Sequence, residues 1–186
     1  VWPAHYEAKA MEEACDATLK RLGMDYLDVY FLHYPPAGGM TVGQAVENMN
    51  ALKEKGKIRS IGVSNFTLDM LKEACQYGQI DVVQPCYNLL WRYIDRDLLP
   101  WCADEGIGVI PYSTLAQGLL TGSFRAGMEI TGGRRRAALF QPGIYEKCLT
   151  VAEYLARIGE KYGKNAAQIC INWLVKNEGI TAPIVG

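Results

Sequence analysis

Strand-like apolar runs alternate with amphipathic helical stretches along this 186-residue sequence, and that alternation leaves few folds open. Successive strands with a helix between them run parallel and are joined by right-handed crossovers. The clearest run is DYLDVYFLHYP at 25–35, where Tyr26, Val29, Tyr30 and Phe31 are β-formers in an almost unbroken apolar stretch. A strand covered on both faces reads this way. IRSIGVSN, DVVQPCYNLL, IGVIPYS and the terminal TAPIVG bring the expected strands to five.

Between the runs, apolar residues recur at spacings of three and four. Met11, Ala14, Cys15, Leu19 and Leu22 predict a helix that stops at Gly23. Ala45, Val46, Met49 and Leu52 predict another, opened by a Thr41/Gln44 capping box and closed at Gly56. Thr67 is expected to cap the next helix and Asp95 the one after it. Residues 144–162 form a further helix, and Asn165 with Gln168 opens the last. Residues 1–7 show no clear pattern. Residues 117–142 carry five glycines and little periodicity, and a connection of that length is expected to act as a clasp or lid. No linker divides the chain, so a single domain over 1–186 is expected.

A net charge of -1 and a pI near 6.2 give no long-range field for nucleic acid or an acidic membrane. Arg134, Arg135 and Arg136 lie in a glycine-rich stretch without interleaved aromatics, which favours a solvated loop over a phosphate contact. No apolar run reaches the length of about eighteen residues that a spanning helix needs, and Val1 does not open a signal-peptide pattern. A cytoplasmic protein is the expectation, with its six cysteines, none in C-x-x-C spacing, as buried thiols. With only His5 and His33 and no H-E-x-x-H, no metal site is expected.

His33 closes the first strand, and α/β folds bind ligands at the carboxyl ends of strands. Taken alone, such a histidine is more often a hydrogen-bonded core residue than a catalytic one. Ser64 and Asn65 would equally suit a turn, Gln84 a strand residue bonded to neighbouring backbone, and Tyr112 the core. Yet the later runs also finish in polar groups, at Ser64 and Asn65, at Gln84 and Asn88, and at Tyr112 and Ser113. Polar residues gathered at one end of successive strands resemble the rim of a binding site.

The phrases ATLKRLGMDYLDVYFLHYP, ALKEKGKIRSIGVSNF, VVQPCYNLL, IPYSTLAQGLLTG and APIVG, in this order, resemble the aldo-keto reductases. They are most similar to the prokaryotic type that also resembles the β subunits of voltage-gated potassium channels. The resemblance implies a (β/α)8 barrel that passes a hydride between NADP(H) and a carbonyl carbon. A tyrosine serves there as acid, an aspartate and a lysine tune it, and a histidine orients the substrate. It implies that His33 is the catalytic histidine and that Tyr34 lines the substrate pocket. Ser64, Asn65 and Gln84 would hold the nicotinamide carboxamide and Tyr112 would stack on its ring. Ser113, Leu115 and Gln117 would begin the loop along the pyrophosphate, with Thr114 replacing a proline common in relatives.

The sequence also departs from the family. A closed barrel needs eight strands and typically about 250 residues. Counted by motif, the chain begins before the fourth strand, so the first three strands and the C-terminal end are expected to be absent. No tyrosine stands in the context of the acid. The expectations are therefore a small carbonyl compound as substrate, NADP(H) as cofactor, little or no turnover by these residues alone, and self-association through open sheet edges. A nucleotide-binding regulatory or scaffold subunit is the alternative.

Overall fold

Residues Leu27–Leu32, Ile58–Ser64, Val82–Gln84 and Gly108–Val109 form strands β1 to β4 of one sheet in the computed structural model, which describes residues 1–185. All neighbours are parallel and the order is β1-β2-β3-β4, as alternation with helices requires. The register sets Leu32 beside Val63 and Ser64 beside Gln84, so the strands end at a similar level.

Helices α1 (Ala8–Leu22), α2 (Val42–Glu54), α3 (Leu68–Tyr77), α4 (Leu98–Glu105), α5 (Tyr145–Glu160) and α6 (Ala166–Val175) follow the apolar periodicity. Both expected capping boxes form, Thr41 with Gln44 on α2 and Asn165 with Gln168 on α6. One cap differs from the expectation. Asp95 falls in a 3-10 turn, and Asp97 caps α4 by accepting from the Leu98 N–H at 2.6 Å. Pro100 then sits in the first turn, where helix N–H groups have no intrahelical acceptor.

The chain divides into two compact units, one of residues 1–85 and 95–110 and one of residues 86–94 and 111–186. The first contains the sheet. Ala45, Val46 and Met49 of α2 are fully buried, as are Ile61, Val63 and Val83 of the sheet. Truncating Met49 or Ile61 to alanine costs roughly 2–5 kcal/mol. In the second unit Ala116, Leu119 and Leu120 pack with Phe140, Tyr145, Cys148, Leu149 and Cys170 into one core.

The fifth expected strand is absent from the described residues. Over 181–185 the Ile184 N–H donates to the Pro111 carbonyl and the Ile184 carbonyl accepts from Thr114 Oγ1 at 2.7 Å, but no ladder forms. Pro183, which has no N–H, interrupts the donors a strand would need. Gly186, the last residue of that run, lies outside the described residues.

Residues 117–142 are less open than their glycines suggest. Leu119, Leu120 and Phe140 anchor the segment in the core, Phe124 meets Phe140 and Tyr145 edge-on, and the Tyr145 hydroxyl donates to the Arg125 carbonyl at 2.9 Å. Short 3-10 turns at Ala116–Thr121, Gly132–Arg136 and Ala138–Phe140 place these apolar residues at intervals that match no helix or strand period. Not all cysteines are buried: Cys75 is exposed and Cys86 half-buried.

Candidate active site

His33 follows the last residue of β1, and its backbone is held from two sides. Its N–H donates to the Val1 carbonyl at 3.0 Å, and its carbonyl accepts from the Asn65 side-chain amide at 2.9 Å. Val1 also donates its amine to the Phe31 carbonyl, so the first residue pairs with the outer edge of β1.

The same Asn65 amide reaches Ser64 Oγ at 3.1 Å. Ser64 is buried, and its hydroxyl donates to the Gln84 carbonyl at 2.9 Å and approaches Gln84 Oε1 at 3.3 Å. Asn65 also donates its backbone N–H to the Gln84 carbonyl. It does so from a left-handed conformation, φ 63°, which asparagine adopts more readily than most residues. Four expected site residues from three strand ends, His33, Ser64, Asn65 and Gln84, thus form one hydrogen-bonded network. Tyr34, half exposed, lies beside His33 with ring centroids 4.9 Å apart.

In the second unit Tyr112 pairs with Cys86 in a parallel bridge and accepts from the Tyr87 N–H. It lines a cavity of about 660 Å³ with Cys86, Trp91, Tyr93 and Leu139. The Cys86 thiol is pushed up by burial, an effect opposed by the hydroxyls of Ser113 and Tyr112. A second cavity, of about 720 Å³, is lined by Ser113, Leu115, Gln117, Thr131 and Arg134. Ser113 and Gln117 belong to both cavities.

The loop that carries these residues is strained. Ser113, Ala116 and Gln117 all have positive φ, at 53°, 51° and 55°. Each such non-glycine residue costs of order 1–3 kcal/mol and persists only where the surroundings impose it. Asn88, buried, donates to the Ser113 carbonyl at 2.9 Å, and Arg134 Nε donates to the Gln117 carbonyl at 3.1 Å.

The chain matches the Aldo/keto reductase family over residues 1–186. It belongs to that family. It is 33% identical over 180 residues to the NADH-specific methylglyoxal reductase of Escherichia coli, covering 96% of this chain and 55% of that protein. It is 30% identical over 191 residues to a probable voltage-gated potassium channel subunit beta of Arabidopsis thaliana, covering 96% and 57%. Among solved structures, a glycerol dehydrogenase from Gluconobacter oxydans superposes with a TM-score of 0.88 at 25% identity, over 96% of this chain and 55% of that one. An aldo/keto reductase from Klebsiella pneumoniae in complex with NADP and acetate superposes with a TM-score of 0.74 at 31% identity, over 100% and 58%. This aldo-keto reductase chain therefore spans about half the length of the curated relatives it matches, and its fold is part of a TIM-type barrel.

Two residues near the expected sites were not read from the sequence. Trp2 packs against His33, and the only signal at that position was a Trp-Pro dipeptide in a stretch without periodicity. Arg134 is exposed with its neighbours, as a solvated loop requires, and it also donates to the Gln117 carbonyl and lines the polar cavity. Its glycine-rich context concealed this. Among the described residues no helix is long and apolar enough to cross a membrane.

Proposed function

We propose that this chain is the cofactor-holding and substrate-orienting part of a reductase that converts aldehydes or ketones to alcohols with NADP(H), and that residues 1–186 are a single domain of that enzyme. The observation that carries the reading is the hydrogen-bonded network of His33, Ser64, Asn65 and Gln84 at the strand ends.

The donor set fits a nicotinamide. A carboxamide needs both a donor and an acceptor, and serine, asparagine and glutamine side chains supply both. Tyr112 offers a flat aromatic wall, and an aromatic face stacked on one side of the ring leaves the other for substrate. Ser113, Leu115 and Gln117 line a polar cavity with one guanidinium, Arg134, a combination suited to a pyrophosphate. When bound, the cofactor supplies a hydride. His33 would present an imidazole N–H to the carbonyl oxygen, polarising it and stabilising the negative charge that develops. Tyr34 lines the substrate side.

The preference for NADP(H) draws support from the Klebsiella complex. The NADH-specific relative makes NADH the competing cofactor. These residues alone are proposed to bind without turnover. The buried Tyr6 hydroxyl donates to the Tyr34 carbonyl and burial pushes it up to about 12, as burial does for Tyr30, so neither suits proton donation near neutral pH. Similarity to a channel β subunit favours a second reading, a nucleotide-binding regulatory or scaffold subunit. A cytoplasmic location and self-association through open strand edges are part of the same proposal.

The test is to titrate NADPH and NADH into the purified chain while following tryptophan fluorescence, then to add an aldehyde and follow dihydronicotinamide absorbance. Tighter quenching by NADPH without consumption is expected. No quenching by either nucleotide would sink the cofactor reading, and His33-dependent consumption would overturn the proposed inactivity.

A further inference from the structure

Two aromatic rings pack against the catalytic candidate. The Trp2 indole lies 4.5 Å from the His33 imidazole at an interplanar angle of 53°, Tyr34 lies 4.9 Å away at 25°, and Trp2 and Tyr34 stack at 5.6 Å. Among the described residues neither ring nitrogen of His33 has a hydrogen-bond partner. An imidazole is ordinarily oriented by a bond to the nitrogen that does not react. Here packing against two rings stands in its place.

The main chain of both flanking residues is held in turn, although their rings stay partly exposed. Trp2 is tied to β1 by Val1, whose carbonyl accepts from the His33 N–H, and by Pro3, which holds Trp2 extended at φ -83°, ψ 152°. Its own carbonyl accepts from the His5 N–H at 2.9 Å, closing the 3-10 turn Pro3–His5. Tyr34 is tied by Tyr6, whose buried hydroxyl donates to the Tyr34 carbonyl at 2.6 Å and accepts from its N–H at 3.3 Å. Tyr6 is held by Asn48 of α2, which donates to its carbonyl at 2.8 Å.

We propose that Trp2 is a positioning residue for His33, restricting rotation of the imidazole so that one nitrogen is presented consistently to substrate. Its functional value rests on the proposed role of His33, but its structural content does not. The two-histidine chain permits a direct test by NMR of histidine-labelled protein, with His5→Gln assigning the resonances. Ring protons of His33 shifted upfield, with nuclear Overhauser contacts from the Trp2 indole to one edge of the imidazole, are expected. Trp2→Leu should reduce the upfield shift to the part that Tyr34 contributes and even out the Overhauser contacts of the two imidazole edges with their surroundings. Trp2→Phe, the variant that decides should the leucine protein not fold, should reduce the shift yet keep the contacts on one edge. An unchanged His33 shift in either variant would overturn the proposal, as would equal contacts from both imidazole edges in the parent chain. NADPH quenching measured on the same samples separates the two ideas: its absence would remove the cofactor reading and leave the NMR result standing.

Discussion

The Asn65 side-chain amide donates to the His33 carbonyl at 2.9 Å and to Ser64 Oγ at 3.1 Å, bridging the ends of β1 and β2 where their backbone ladder stops. Asn65→Ala removes both bonds and puts alanine in a left-handed conformation. The expected loss is roughly 2–3 kcal/mol, since each bond contributes about 1 kcal/mol and the backbone adds about as much again. Asn65→Gly relieves the backbone but not the bonds, so it should be the milder of the two. Urea denaturation of the three proteins measures this, and equal losses would show that the backbone conformation contributes nothing.

Acid sensitivity should be traceable to Glu12. Hydrogen bonds from Lys55 and Lys57, at 2.6 and 2.9 Å, hold its carboxyl down at about 2 from an ordinary 4.5. A carboxylate depressed in the folded state stabilises the fold above its unfolded value, and that contribution is lost as pH falls through the folded one. Melting temperatures of the parent and Glu12→Gln should differ at neutral pH and converge between about 4.5 and about 2. A constant difference over that range would exclude the carboxylate as its source.

Two glycines differ in what a methyl group would meet. At Gly159 in α5 the new carbon would lie 2.2 Å from the Lys164 carbonyl oxygen, whereas at Gly62 in β2 it would meet the Phe31 ring at 2.3 Å. A ring can rotate away, but a carbonyl in a tight turn moves only with its backbone. Overpacking typically costs roughly 1–3 kcal/mol, and Gly159→Ala is expected at or above the top of that range, with Gly62→Ala below it. Thermal denaturation compares them, and a greater loss at Gly62 would contradict the argument.

Thr114 is buried and donates to the Ile184 carbonyl at 2.7 Å, while its own carbonyl accepts from the Cys170 thiol at 3.4 Å. Thr114→Val keeps the volume and removes the hydroxyl. Faster amide exchange at Ile184 is expected, with a stability loss of about 1 kcal/mol. Unaltered exchange would mean that Pro183 and the Pro111 contact hold the tail without Thr114.

What the sequence disclosed depended on whether the signal was periodic. The helices α1, α2, α5 and α6 and the first strands follow from spacing and caps, and the rim residues His33, Ser64, Asn65 and Gln84 follow from their place at strand ends. Trp2 and Arg134 could not be read this way. One sits next to a 3-10 turn and the other within one, where no face repeats. The expected fifth strand failed for a local reason, Pro183, that an apolar composition outweighed. The Asp95 cap missed by two residues, because Asp95 and Asp97 are both good capping residues and only the path of the preceding turn selects between them.

Because side chains reinforce the main chain where the strand ends meet at Ser64, Asn65 and Gln84, the groups proposed to touch ligand are also the stitches of the sheet margin. A saturation screen scored on nucleotide retention would confound these two roles at all three positions. Only parallel scoring of abundance can separate a residue that recognises from one that merely holds its neighbours in place.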